Sequence, residues 1–523
     1  MFYYGYNIKK IVLILEYAIL VKIVKGVIMR KYIIIAIITV LMIAFGISFI
    51  DYDNSSSTNV ILDESIAYGV ENIPENLKTV SEFTDSDTDI FCALTKGLVE
   101  KNKDGDIVPS LASEINKSDD GIQYEFKISD DVYWNNGEKV TAKDVMTFFK
   151  ELLKEYDDDE ISALLQIYGA KEFREGKVNF DKGVAISYSD NSVIIRLNNK
   201  YDKFLDELSK PQYRIRNNII MWNDILKNYN DLIYCGNYKI KEVNKENIIL
   251  EKINDQVQFK YINFIKDESV ELSMASYEVN ERDIVIDPPE SELNKLDDSE
   301  KLITAPKTTA AYIVINNSSI PLQGRKNIYN YIYNAVEKYQ SNNPKEFDLA
   351  EGCYFREDKE NLTMIQERKV NRSKEGQWDP PKILTLIAED NKKNKILCRI
   401  IKEWFDINTD ITVKYTLANE DEFKDTELKN RYDIILINTN AILSEKEEFY
   451  TSFEDYLTSI DLNILENLRI NDYYGDYFNL ENSLFNNYNI LPLVFYNENI
   501  AISNKISDIS FDGNGNIDFN QLN

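Results

Sequence analysis

Histidine is absent from all 523 residues. Without an imidazole there is no Ser-His triad, no His-ligated zinc and no His proton relay. Cysteine is scarce. Cys92, Cys235, Cys353 and Cys398 are far apart and form no C-x-x-C pair, which argues against a zinc cluster or dithiol redox centre and makes buried free thiols the default. No phosphate-cradling glycine loop and no nucleophile–base arrangement stands out. Acidic pairs such as Asp157/Asp158 and Glu447/Glu448 fall in charge runs that read as solvated surface. Basic residues are outnumbered, 60 against 88 acidic, for a net charge of −28. A surface so acidic repels phosphate backbones, which argues against nucleic acid as a partner. No catalytic residue, metal ligand or cofactor is assigned.

What the chain does have is length and one long apolar run. Its 523 residues exceed what a single core organises, so two or more lobes are expected. Hydrophobic residues at 44% and charged residues at 28% are ordinary for a globular protein. Residues 32–50 carry no charge, about the length that crosses a bilayer's hydrocarbon core. Arg30 and Lys31 precede this run and Asp51 and Asp53 follow it, which places the rest of the chain on the extracytoplasmic face of the cell membrane. Residues 29–50 therefore read as a signal segment or transmembrane anchor. Ala44-Phe45-Gly46 and Gly46-Ile47-Ser48 offer cleavage-like spacing, and the reading favours an uncleaved anchor. No cysteine follows that could be lipidated there. Residues 51–59, rich in Ser and Asn, form a short tether. In residues 1–28 the apolar run is broken by Glu16, Lys22 and Lys25, and this stretch is expected to be a leader ahead of a true start at Met29.

From Val60 onward there are no internal repeats, and strands alternate irregularly with helices, as in an α/β protein with mixed sheets. Ile122, Tyr124, Phe126 and Ile128 alternate as in a half-buried strand, and Asn136-Gly137 marks a tight turn. Thr141 with Asp144 reads as a capping-box-like helix start, followed by Val145, Phe148, Phe149, Leu152 and Leu153 on one face. Val193, Ile195 and Leu197 mark a second strand, and residues 312–315 a more continuously buried one. Helices are expected over 326–339 and 395–405, with strands over 383–387, 411–415 and 432–437. Asp287-Pro288-Pro289 and the polar stretch to Lys301 read as a hinge or linker.

Between Gly97 and Val145 a series of short motifs occurs in order. Gly97-Leu98-Val99 and Gly105 come first, then Ile107-Val108-Pro109-Ser110-Leu111-Ala112 and Asp119-Asp120-Gly121. Tyr124-Glu125-Phe126, Val132-Tyr133-Trp134-Asn135-Asn136-Gly137 and Val140-Thr141-Ala142-Lys143-Asp144-Val145 complete it. This block resembles the family 5 extracellular solute-binding proteins, the oligopeptide, dipeptide and nickel receptors of ABC importers. The resemblance continues at lower density through Cys235-Gly236-Asn237-Tyr238, Tyr312-Ile313-Val314-Ile315-Asn316, Tyr432-Asp433-Ile434 and Phe511-Asp512-Gly513.

That resemblance implies a two-lobed, type II periplasmic-binding-protein-like α/β fold with an extra subdomain. Lobe I would comprise 60–99, 190–308 and 495–523, the subdomain 100–189, and lobe II 309–494. The protein would be monomeric and would close its lobes on a peptide or other small solute, then deliver it to ABC permease subunits. Gly97, Pro109, Leu111, Ala112, Gly121, Trp134, Gly137, Thr141, Ala142, Asp144 and Val145 would be scaffold. Asp87 and Phe91 from the first lobe, with Asn316, Asn438 and Thr439 from the second, are the expected ligand contacts. The chain departs from the family at the cleft. After the Tyr-Asp strand, peptide receptors carry Gly-Trp and an Asp that pairs with a peptide's amino group. Here that stretch is Asn438-Thr439-Asn440-Ala441-Ile442. Lack of histidine disfavours nickel. The alternative function is an anchored peptide-sensing or interaction protein on the same fold, without transport.

Overall fold

The long apolar stretches of the chain have to be covered on both faces, and two of them become the longest strands. Leu302–Ile315 and Ile490–Ile502 pair antiparallel from Leu302 opposite Ala501 to Val314 opposite Ile490, with register shifts between Pro306 and Ala310 and between Ala311 and Tyr312. All thirteen residues of Ile490–Ile502 are buried, so the usual in–out alternation of a half-solvated strand is lost. Leu302–Ile315 is longer than the 312–315 strand read from hydropathy. Its first half, with Thr304 and Lys307, alternates between half-buried and exposed, and only Ala310–Ile315 is continuously buried.

The computed structural model describes residues 64–158, 160–253, 257–373, 376–471, 477–519 and 521–522. The leader, the apolar segment 29–50, the tether and residues 60–63 of the expected first lobe lie outside the described residues. Among the described residues, no helix is long and apolar enough to cross a membrane. The fold is mixed α/β.

The two long strands sit at the middle of an eleven-stranded sheet. On one side lie Ile284–Ile286, Ser65–Val70, Tyr261–Lys266, Asn247–Lys252 and Tyr238–Val243. On the other lie Ile434–Asn440, Ile383–Glu389 and Thr412–Ala418. Ser65–Val70 is parallel to Ile284–Ile286, and Ile383–Glu389 is parallel to both Thr412–Ala418 and Ile434–Asn440. Among the described residues three large apolar cores and one small one follow from this layout. The first gathers residues between Ile66 and Leu94, Trp222 and Ile284, and Ile500 and Leu522. The third runs from Ala310 to Tyr496.

The second core holds the motif block. Ala112–Lys117, Gln123–Ile128, Ser192–Arg196 and Ile186–Ser189 form a four-stranded antiparallel sheet. The helix Ala142–Glu155 buries Val145, Phe148, Phe149, Leu152 and Leu153 in this core. That helix starts as its sequence specifies: Thr141 Oγ1 accepts the Asp144 N–H and the Asp144 carboxylate accepts the Thr141 N–H. Leu111, Ala112, Trp134 and Ala142 are buried here. Gly121 and Gly137 occupy turns, Pro109 ends the strand Ile107–Pro109, and Gly97 precedes its partner strand Val99–Lys101. The core draws on residues to Cys235, well past 189. Arg216, fully buried, stacks on Phe91 and Trp222 of the first core and Phe148 of the second, 4.7, 5.7 and 5.8 Å from their rings.

The polar stretch after Pro289 is not an open linker. It forms the helix Glu290–Asp298, directly after Pro289, and buries Leu293 and Leu296, because its two leucines lie three residues apart on one helical face. The residues from Ile66 onward form one compact unit.

Candidate functional site

In open α/β sheets ligands bind beyond the carboxyl ends of parallel strands, where loops lead into helix N-termini. The parallel pair Ser65–Val70 and Ile284–Ile286 ends at Glu71 and Asp287, and a cavity of about 440 Å³ opens there. Two helices begin at its wall. Asp85–Leu94 is capped by Thr84 and Val270–Glu278 by Ser269, whose hydroxyl accepts the Leu272 N–H. From the third core comes Lys392, first residue of the helix Lys392–Asn408, which follows the strand Ile383–Glu389 and is capped by Asn391. The cavity thus joins groups from two cores.

Its polar lining is ordered by specific partners. Asp267 is almost buried and receives two bonds from Arg282, Nε to Oδ2 at 3.0 Å and Nη2 to Oδ1 at 2.7 Å. Asp287 has a positive φ of 43°, a sparsely populated conformation for a non-glycine residue. It is held there by Asn499, whose carbonyl accepts the Asp287 N–H at 2.7 Å and whose N–H donates to Asp287 Oδ1 at 3.2 Å. Lys307 pairs with Asp85 and, at 2.8 Å, with Glu498. It ties the two long strands to the helix at the cavity wall. Burial acts to lower the Lys307 ammonium, but Glu498 and Asp85 overcome it and hold it above its usual range.

Beside this network, burial pushes the Glu346 carboxyl from 4.5 up to about 7, with Glu290 and Asp287 adding repulsion and Lys392 and Lys393 opposing it. The folded form therefore prefers protonated Glu346. Its contribution to stability is complete below pH 4.5, falls as pH rises, and is lost above about 7. At about 1.4 kcal/mol per pH unit, discounted for partial exposure, the loss is about 2 kcal/mol. Glu346→Gln should match the wild type near pH 4.5 and exceed it by about that amount at pH 8. Denaturant titrations at the two pH values check this. Equal stability at both would show that Glu346 is solvated.

None of the five expected contacts is among the residues lining this cavity. The Asp87 carboxylate accepts the Thr84 N–H at 3.0 Å and completes a capping box, while its neighbours Asp85 and Ser86 reach the cavity. Phe91 is fully buried in the first core, edge-on to Phe83 and Trp222. Asn316 lies past the far end of Leu302–Ile315, where its amide donates to the Asn430 and Tyr432 carbonyls and orders a turn. Asn438 and Thr439 stand opposite Ala311 and Ala310. Asn438 donates to Asn394 Oδ1 at 2.9 Å, so it buttresses the first turn of the helix that Lys392 opens. The lining residues Glu71, Glu268, Glu271, Ser273, Asp287 and Lys392 were not anticipated. The available signal was an N-cap directly after an apolar strand, at Ser269 and Asn391.

The sequence profile of the bacterial extracellular solute-binding proteins, family 5 (middle region), matches residues 106–330. The oligopeptide-binding protein OppA of Bacillus subtilis is 27% identical over 198 residues, 36% of this chain and 36% of that protein. A dipeptide-binding protein of Lactococcus lactis is 31% identical over 128 residues, 24% of this chain and 23% of its own length. These alignments thus span about a third or less of the curated relatives. The solved structures extend the likeness in fold to most of the chain. The Escherichia coli murein tripeptide binding protein MppA superposes with a TM-score of 0.63 at 16% identity, over 88% of this chain and 98% of that one. NikA from Brucella suis, in complex with Fe(III)-EDTA, gives 0.64 at 16% identity over 88% and 99%. Residues 106–330, which hold most of the motif block, thus match family 5 of the bacterial extracellular solute-binding proteins in sequence, and 88% of the chain shares the fold of MppA and NikA.

Proposed function

We propose that the protein is the peptide-binding receptor of an ABC importer, held at the extracytoplasmic face of the membrane by residues 29–50. Residues 60–99, 190–308 and 495–523 would act as lobe I and 309–494 as lobe II, with the 100–189 subdomain attached to the first. Leu302–Ile315 and Ile490–Ile502 pass from the first core to the third and would carry the hinge. The observation that carries this reading is the cavity at the carboxyl ends of Ser65–Val70 and Ile284–Ile286, to whose wall the helix after Ile383–Glu389 contributes Lys392. A ligand touching both walls stabilises the closed form over the open one and so drives closure. The relatives named for oligopeptide and dipeptide binding support a peptide as the solute.

A ligand that binds only the folded state, at a hundredfold excess over its Kd, adds about 2.7 kcal/mol of stability. Thermal unfolding against a panel of di- to tetrapeptides should therefore show a rise in Tm for one class of peptide. The rise should shrink when Asp287 is replaced by alanine. A well-folded protein that shifts with no peptide would end the receptor reading.

A further inference from the structure

We propose that the cavity selects solutes carrying a positive charge, such as the lysine or arginine side chain of a short peptide. Glu71, Glu268 and Glu271 would be the charge partners, and the Ser273 hydroxyl a hydrogen-bonding group in the cavity wall. This rests on the reading of the cavity as the ligand cleft.

Charge balance is the first support. Six carboxylates line the cavity, from Glu71, Asp85, Asp267, Glu268, Glu271 and Asp287, against the single ammonium of Lys392. Arg282 neutralises Asp267, and Lys307 and Lys393 together offset Asp85 and Glu498. Glu71, Glu268 and Glu271 are exposed and hold no ion pair among the described residues. The N-termini of three helices bring partial positive charge of about one half each. Together with Lys392 they offset about 2.5 charges, fewer than the four carboxylates that remain. Each N-terminus also has a backbone N–H already taken by its own cap, at Thr84, Ser269 and Asn391. The local field therefore stays negative, and the chain's net charge of −28 adds to it at long range.

Ser273 is the second, independent support. Its side chain is 3% exposed and its Oγ has no hydrogen-bond partner among the described residues. A buried hydroxyl without a partner is uncommon and costly, and this one lines the cavity. Gly69 keeps the wall open beside it, because a Cβ there would come within 2.0 Å of Ser273 Oγ. Val70, Val270 and Val285 supply apolar wall for the methylene stem of a long cationic side chain.

The test is titration calorimetry on the full-length chain in a non-ionic detergent, with Gly-Lys-Gly, Gly-Leu-Gly and Gly-Glu-Gly at low and high salt. The lysine peptide should bind about tenfold or more tighter than the leucine peptide at low salt, with the gap narrowing as salt screens it, and the glutamate peptide weakest. Glu71→Gln combined with Glu271→Gln should bring lysine and leucine peptides within about threefold, a change Coulombic in origin. Equal affinity for all three peptides would overturn charge selection and leave the peptide-receptor reading standing. If no tripeptide binds, free arginine and spermidine decide. Cation binding that the double glutamine variant abolishes upholds the proposal and ends the peptide reading, whereas no binding of either cation overturns the proposal as well.

Discussion

Replacing Arg282 by methionine should cost the protein about 3–5 kcal/mol, the range found when one partner of a buried ion pair is removed. Both side chains of the Asp267–Arg282 pair are about nine-tenths buried, 9% and 11% exposed. The methionine fills much of the space of the arginine stem but leaves the Asp267 carboxylate without its two N–H donors. That carboxylate cannot recover the lost bonds from water at equal depth. The pair also fixes geometry. The Asp267 N–H donates to the Val70 carbonyl at 2.8 Å, so it joins the end of Ser65–Val70 to the segment that begins the helix Val270–Glu278. Urea unfolding of the wild type, Arg282→Met and the double variant Asp267→Asn with Arg282→Met would apportion the effect. The double variant should regain most of the loss, because no uncompensated charge remains. A single-variant loss below about 1 kcal/mol would mean that water reaches the pair and that it acts as an exposed salt bridge.

Gly169→Ala should be nearly as damaging, at about 2–5 kcal/mol, for a reason confined to one methyl group. Gly169 precedes the helix Ala170–Arg174 with φ at 78°, where an L side chain costs about 1–2 kcal/mol. An added Cβ would also lie 1.8 Å from the Gly183 carbonyl oxygen and 2.8 Å from its carbon. Those atoms are backbone and cannot rotate away, so the chain itself must shift, at a typical overpacking cost of about 1–3 kcal/mol. Gly137→Ala separates the two contributions. Gly137 has φ at 86° but nothing within 4 Å of the added methyl, so only the conformational cost of about 1–2 kcal/mol should be seen. Equal losses for the two variants would show that the segment around Gly183 yields freely.

Where the physics is local, sequence and structure agree closely. Thr141 and Asp144 lie three residues apart and the apolar side chains after them recur on one helical face, so the helix Ala142–Glu155 is specified within a single stretch of chain. The same reasoning applied to Thr84 and Asp87 would have identified a second capping box. It would have assigned Asp87 to the helix start and Phe91, with Ile90 and Leu94, to a buried face. The resemblance to receptor families alone points those two residues toward the cleft. Asn316 follows an apolar strand, a place that suggests a cleft residue, but the residue of Leu302–Ile315 that pairs with the cavity wall is Lys307, nine residues earlier. Which residue does so depends on how Leu302–Ile315 and Ile490–Ile502 cross between cores, a long-range pairing with no local mark.

By itself the sequence determined the α/β class, the resemblance of the motif block to the solute-binding family, its capped helix and one alternating strand, and an acidic surface without histidine chemistry. Each of these rests on composition or on residues close together in the chain, where side-chain period and capping act directly. Only the tertiary structure decided where the ligand-sized cavity lies and which carboxylates in it keep an uncompensated charge. Glu71, Glu268, Glu271, Asp287 and Lys392 come from four separate segments. Whether each carboxylate is neutralised depends on partners such as Lys307, which lies 222 residues from Asp85. Electrostatic and packing energies depend on distance in space, and that distance exists only once the chain has folded.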